Sequence, residues 1–329
     1  MQRAIKASHL RRLANGGVKD LFIVAKPEVA AAFVISQPLY AKFIHVGERF
    51  ALLDCGGRTV DAITYKVIQT DPRRLQEVVA PDGASCGSTF LNDRFHKLLE
   101  SRLEGAKLVG NNTPLNEIID SKVIERDNGQ KRTIDITKKE EKFAGVFIPG
   151  LQADLPQRIS NNRVYFDRRE MKDVFKYCLR DVAKLLRDQL QSAKETIDSE
   201  TGLGFNVQKV FLVGGFCESP SLQNHIQNVL TTEQNILNQP ISLVITHHID
   251  SAVARGAVLR ALNKEDGPRR ITRTSYRILR SDFYDSGLPE HRGLRGRRYA
   301  VDGLVHIEKC IHWQILKVGS LRCGFQALQ

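Results

Sequence analysis

The sequence predicts an α/β fold, and three observations carry that prediction. Short apolar runs of strand length, 50–53 and 209–213, lead into glycine turns. Helix-period stripes of apolar residues, the longest over 168–194, alternate with those runs. With 329 residues, 42% of them hydrophobic, the chain has enough apolar content for one large bilobed domain or two ordinary ones.

Taken in order, residues 1–15 read as an amphipathic helix carrying Ile5, Leu10 and Leu13, stopped by Asn15-Gly16-Gly17. The run 21–25 reads as a short buried strand. Pro27 opens a helix over 28–34, because the first helical turn needs no amide donor there. The run 50–53 is a strand, Asp54-Cys55-Gly56-Gly57 a tight turn, and 60–67 a returning strand with Ile63, Tyr65 and Val67. A helix over 93–103 carries Phe95, Leu98, Leu99 and Leu103 on one side. The polar segment 110–142 shows no clear period and receives no assignment.

The helix over 168–194 places Met171, Phe175, Cys178, Val182, Leu185 and Leu186 on one stripe, suited to core packing or, less simply, to a coiled-coil seam. A strand over 209–213 ends in Gly214-Gly215, and a helix follows with Ser219 as N-cap and Pro220 first. Leu222, Ile226, Val229 and Leu230 face inward from it. A last helix, 250–262, offers a small-residue surface of Ala252, Ala254, Gly256 and Ala257. Beyond Lys264 the regularity gives way to a basic tract.

The formal charge of +12 is partly local, in Arg269, Arg270, Arg273, Arg277 and Arg280 and again in Arg292, Arg295, Arg297 and Arg298. Without regular aromatics or a helix-turn-helix or finger pattern, this tract reads as a solvated basic linker rather than a nucleic-acid surface. No apolar stretch is long enough to span a bilayer, and no signal-peptide pattern opens the chain, so the expectation is cytoplasmic, with the nucleus as the alternative. The six cysteines form no CxxC pair and read as reduced structural thiols. His247 and His248 are neighbours that would face opposite sides of a strand, which argues against a shared metal.

Chemistry concentrates in the two glycine turns. In Asp54-Cys55-Gly56-Gly57-Arg58-Thr59-Val60-Asp61 the glycines allow close backbone approach, free amides can bind an anion, and Thr59 adds a donor. Asp54 and Asp61 could hold a magnesium ion through water. A plain hairpin made of ordinary turn residues is the equal alternative. In Leu212-Val213-Gly214-Gly215-Phe216-Cys217-Glu218-Ser219-Pro220 a strand passes through a diglycine into a helix, whose N-terminus favours anions. The GxGxxG fingerprint of dinucleotide-binding folds is absent.

The order of the pieces is more specific than either turn. Lys26-Pro27-Glu28-Val29-Ala30-Ala31-Ala32, the Asp54 hairpin, Gly83-Ala84-Ser85-Cys86-Gly87-Ser88-Thr89-Phe90, the diglycine turn and Asp250-Ser251-Ala252-Val253-Ala254-Arg255-Gly256-Ala257 follow in register. Together they resemble the second half of the actin-like ATPase domain of the seventy-kilodalton heat-shock chaperone family. Phe216 and Ser219 look like a diverged branch of that family, common in fungi.

The resemblance implies an actin-like (ribonuclease H-like) ATPase fold, mainly its second lobe. Residues 1–47 would be a remnant of the first lobe, 48–265 the second lobe with a smaller subdomain at about 86–171, and 266–329 a basic linker and truncated C-terminal region. ATP or ADP with magnesium is the implied ligand. Gly56, Gly57 and Thr59 would meet the phosphates, Gly87 the ribose and phosphates, and Gly214, Gly215 and Phe216 the adenosine, with Asp250 near the purine. Asp54 and Asp61 would be the catalytic carboxylates, acting around magnesium and the attacking water. Lys131 and Glu125 are the nearest candidates for the family's Lys and Glu beside the nucleoside, at a spacing that departs from the family's. Implied partners are unfolded client proteins and a nucleotide-exchange factor, with no nucleic acid and no membrane.

Three departures point away from ordinary turnover. No Asp-x-Gly-Thr hairpin precedes the proline-alanine motif, so the expectation is a chain truncated at its start with half the phosphate clamp missing; the tail likewise lacks a full substrate-binding module. Lys26 stands where the family has a glutamate, exchanging a base or water-positioning carboxylate for a cation. Arg58 replaces the third glycine of the hairpin: either it strains a positive-φ turn, by on the order of 1 kcal/mol, or its guanidinium pairs with phosphate. The expected function is chaperone-like ATP binding with impaired or absent hydrolysis. The alternative is a non-enzymatic interaction module, or a degenerate remnant, that binds no nucleotide.

Overall fold

The computed structural model describes residues 23–41, 44–110, 113–128, 130–139, 143–198, 201–237, 240–246, 249–265, 267–271, 276–298, 303–315 and 326–327. The helix expected over 1–15, the first part of the strand expected over 21–25, His247, His248 and Arg273 lie outside the described residues. The chain divides into two units, 1–268 and 269–329.

The first unit opens with α1 (Lys26–Ser36) and α2 (Pro38–Ala41), followed by β1 (Arg49–Cys55), β2 (Val60–Thr70) and β3 (Arg73–Ala84). Next come α3 (Thr89–Leu103), α4 (Leu115–Asn128), α5 (Gln130–Thr133) and the short strands β4 (Val146–Phe147), β5 (Ile159–Ser160) and β6 (Arg163–Val164). The long α6 (Arg168–Glu195), β7 (Lys209–Val213), α7 (Pro220–Leu237), β8 (Ser242–Ile245) and α8 (Ala252–Leu262) complete it.

This unit is α/β, organised by a mixed five-stranded sheet in the order β3-β2-β1-β7-β8. The two hairpin pairings, β1 with β2 and β2 with β3, are antiparallel, while β1 with β7 and β7 with β8 are parallel. Side-chain alternation along β1 assigns the two faces. Phe50 and Leu52 enter a core shared with Phe33 and Val34 of α1, whereas Ala51, Leu53 and Cys55 enter the larger core built with α6. Both faces are covered, which is why β1 reads as a continuous apolar run.

The expected stripe on α6 is buried throughout, against β1, β2 and β3, so its length serves core packing rather than a coiled-coil seam. Its start is a capping box: Glu170 N donates to Asp167 Oδ1 at 2.8 Å, and Asp167 N donates to Glu170 Oε2 at 2.7 Å. On the other face α1 lies between the sheet and α8. A β-carbon on Gly256 would fall 1.7 Å from the Val29 carbonyl oxygen, so glycine alone permits that helix contact. Of the expected small-residue surface on α8, Ala252 and Gly256 are buried, and Ala254 and Ala257 are exposed.

Three local expectations change. Ile23 to Ala25 form no strand, and Ile23 is exposed. Strand β3 carries Pro81 and Gly83, which read locally as loop and which an edge strand tolerates. The polar segment 110–142 contains α4 and α5, which bury Ile118, Ile119 and Val123 from α4 and Ile134 and Ile136 just after α5.

The second unit, described by itself, holds β9 (Tyr276–Phe283), β10 (Arg297–Arg298), β11 (Val305–Ile315) and β12 (Gln326–Ala327), an antiparallel four-stranded sheet in which β11 pairs with the other three. Part of the basic tract is therefore strand rather than linker, and Arg280 Nε lies 2.9 Å from Asp282 Oδ1 within it. Among the described residues no helix is long and apolar enough to cross a membrane.

Candidate functional site at the ends of two parallel strands

Strands β1 and β7 are neighbours and parallel, with Asp54 opposite Val213, and each ends in a glycine turn. The strand order runs one way from β1 to β3 and the other way from β7 to β8. In open α/β sheets, the crevice beyond the carboxyl ends at such a reversal is where ligands bind.

The first turn docks on the start of α3. Gly87 N, Ser88 N and Thr89 N donate to the carbonyls of Arg58, Gly56 and Gly57 at 3.1, 3.2 and 2.7 Å, and Thr89 Oγ1 donates to Gly57 O at 2.8 Å. The amides of residues 87–89 are thus spent on the hairpin. A β-carbon on Gly87 would lie 2.3 Å from Gly57 O, so this glycine serves packing, where the motif resemblance implies a ligand contact. At the tip, Gly56 N donates to Thr59 O at 2.9 Å. The amides of Gly57, Arg58 and Thr59 make no hydrogen bond among the described residues, and all three residues are exposed. Arg58 is not among the positive-φ residues, which removes the strain reading of this substitution.

Beneath that tip the first turn of α1 brings Lys26 to the carboxylates. Its Nζ lies 2.9 Å from Asp54 Oδ2 and 3.9 Å from Asp61 Oδ2. Asp54 and Asp61 are cross-strand partners, and Asp54 shares the β1 face of Phe50 and Leu52, the face that α1 covers. The Asp54 carboxylate is buried, and among the described residues its Oδ1 has no hydrogen-bond partner. Burial raises its pKa above the ordinary value, the Lys26 ammonium pulls it back, and Asp61 adds to the rise. Gly83 faces Asp61 in register, and a β-carbon there would fall 2.7 Å from Asp61 Oδ1.

The expected magnesium does not fit this donor set. Lys26 already bridges the two carboxylates that would hold it. Two unit charges of like sign 4 Å apart repel by about 4 kcal/mol at an effective dielectric near 20, and a divalent ion beside the ammonium would double that.

The second turn closes against the first. Gly214 has φ +93°, and a β-carbon on it would lie 2.5 Å from Cys55 O and 2.8 Å from Asp54 Oδ1, so only glycine fits. Gly215 differs: nothing lies within 4 Å of where its β-carbon would sit. Phe216 is 2% exposed and belongs to the larger core, so it does not line an open adenosine pocket as implied; the 3-10 turn Gly215–Glu218 directs its ring inward. That turn also separates the diglycine from α7, so the helix N-terminus does not sit at the glycines. Ser219 does not act as the expected side-chain cap, because its buried Oγ has no hydrogen-bond partner among the described residues. Under both turns Cys55 lies beside Cys217, whose Sγ donates to Val213 O at 3.0 Å, and that neighbour together with burial holds the Cys55 thiol well above its usual pKa.

Protein-family models give no match to this chain, and curated proteins give none either.

The remaining expected residues are split. Asp250 is exposed in the 3-10 turn Ile249–Ser251, which packs on Gly215–Glu218. Lys131 Nζ reaches Ser88 O and Asn92 Oδ1, each at 3.4 Å, and burial lowers its pKa to about 8. Glu125 instead pairs with Lys122 at 2.7 Å on the exposed side of α4. One contact escaped the sequence reading: Arg132 Nη1 donates to Glu218 Oε2 at 2.7 Å, tying α5 to the diglycine turn. Its signal was the opposite charge of a residue within the diglycine motif and a neighbour of Lys131.

A separate cleft of about 230 Å³ lies between α1, α8 and the β2–β3 hairpin, lined by Glu28, Ala32, Arg73, Leu259, Arg260 and others, and includes none of the glycine-turn residues. The buried Glu28–Arg260 pair forms part of its lining.

Proposed function

We propose that this chain binds a nucleotide through its phosphates at the paired glycine turns, without efficient hydrolysis, as a diverged actin-like ATPase fold of the seventy-kilodalton heat-shock type with a chaperone-like role. The observation that carries the reading is the row of three amides, Gly57, Arg58 and Thr59, that make no hydrogen bond among the described residues, at the end of β1 beside the open Gly215 turn at the end of β7. Such amides suit an anion, and the Lys26 ammonium adds a cation below them. Adenine as the base rests on the motif resemblance.

Hydrolysis is disfavoured by the same geometry. A general base must reach its water, and Asp54 is buried while Lys26 engages both carboxylates.

Isothermal titration with ATP tests the reading, using Gly215→Leu as the control. Position 215 has room for a side chain, so the variant folds while filling the ligand's space. Binding by the wild type that falls about tenfold or more in the variant supports the reading. No binding at millimolar ATP, or equal binding by both, contradicts it. The commitment of the 87–89 amides to the hairpin favours a second reading, a non-enzymatic interaction module, which the first of those contradicting results would support.

A further inference from the structure

We infer that Lys26 is a built-in substitute for a divalent cation, so that this site takes nucleotide phosphates without a metal. The inference rests on the nucleotide reading above and concerns how the same site balances charge.

Lys26 Nζ bridges two carboxylates that face one another across β1 and β2, at 2.9 Å from Asp54 Oδ2 and 3.9 Å from Asp61 Oδ2. The chain therefore supplies a positive charge at the place where a carboxylate pair would otherwise gather one. The ammonium sits against the hairpin: a β-carbon on Gly56 would lie 3.1 Å from Thr59 O and 3.3 Å from Nζ. The lysine is anchored from behind, because Glu28, two residues along α1, is buried against Arg260 of α8.

An ammonium has three N–H donors and no acceptor. With its side chain 40% exposed, Lys26 can keep the carboxylates and still turn a donor towards an anion at the tip of the hairpin. A phosphate on the Gly57, Arg58 and Thr59 amides then meets a carboxylate pair partly neutralised by Lys26, with the exposed Arg58 beside it. A metal-free nucleotide brings its phosphates to the exposed Arg58 and to the outward donor of Lys26. A magnesium complex brings a divalent charge towards an ammonium, with both carboxylates already engaged.

Calorimetry on the full chain tests this with ADP in EDTA, ADP in excess magnesium, and magnesium alone into nucleotide-free protein. The wild type is expected to bind ADP in EDTA at least as tightly as in magnesium, and to give no heat with magnesium alone. Lys26→Glu, which adds a third carboxylate, is expected to bind magnesium by itself and to lose about tenfold or more of its ADP affinity when magnesium is removed. Lys26→Gln removes only the charge and is expected to lose about tenfold of ADP affinity in EDTA while melting as a folded protein. Wild-type ADP binding that weakens about tenfold in EDTA, or a wild-type magnesium site abolished by Asp54→Asn, overturns this inference and leaves the nucleotide reading standing. Absence of ADP binding in both conditions overturns that reading and this inference with it.

Discussion

Glu28 and Arg260 form a buried ion pair between α1 and α8, with Arg260 Nε donating to Glu28 Oε1 at 2.9 Å and side chains only 4% and 6% exposed. Further Arg260 N–H groups donate to the carbonyls of Asn263 and Lys264, so the guanidinium also closes the end of α8. The pair fixes where α1 sits along α8. Lys26, at the start of α1, is thereby held over Asp54.

Breaking this pair on one side takes a buried ionic partner away from the other. Arg260→Met is expected to cost about 3–5 kcal/mol, and the double variant Glu28→Met with Arg260→Met to recover most of it. Urea unfolding of the two single variants and the double variant checks this through a double-mutant cycle.

Asp54→Asn is expected to stabilise the protein at pH 7, because burial penalises the carboxylate more than Lys26 favours it. Asp54 has its folded pKa raised, so its stabilising contribution is complete below the unfolded value and is lost as pH rises through the folded one. Acidification from pH 7 should therefore narrow the gap between variant and wild type, as thermal melts across that range would show. A gap that widens on acidification would mean that Asp54 is stabilised as the anion.

Lys131 makes an opposite pH signature. Burial, with help from Arg132, lowers its pKa from 10.5 to about 8, so between those values the unfolded chain holds the extra proton. Stability from this group should rise with pH across that window and be flat below it. Lys131→Met is expected to remove the rise, as pH-dependent chemical denaturation would report.

Two glycines separate packing from ligand space. Gly256→Ala should destabilise by about 3 kcal/mol or more, since the added methyl meets the Val29 carbonyl. Gly215→Ala should change stability by less than about 0.5 kcal/mol. Circular dichroism melts of the two variants make the comparison directly.

Much of the sheet was legible because β1, β2 and β7 are apolar runs bounded by glycine turns, and α6 because its stripe keeps a helical period over its whole length. Strand β3 was not, since a proline and a glycine within an edge strand look like loop. Helix α4 was hidden by its polar surface, although Leu115, Ile118, Ile119 and Val123 after Pro114 carry a short helical spacing. At the site, Lys26 was visible as a cation in place of a carboxylate. Its contact with Asp54 and Asp61 depends on the β1–β2 register and on which face α1 covers, and neither is written locally. Phe216 misled for a related reason: its position beside the diglycine suggests a ligand wall, while the 3-10 turn that follows sends it into the core.

The central claim is that the tip of the first glycine turn receives phosphate. Amide nitrogen–proton correlation NMR during titration with ATP measures this at the atoms concerned. The Gly57, Arg58 and Thr59 amides are expected to move downfield together and saturably, with Gly215 shifting alongside them and the amides of Ser88 and Thr89, already bonded to the hairpin, moving least. Unmoved Gly57, Arg58 and Thr59 amides at millimolar ATP would contradict it.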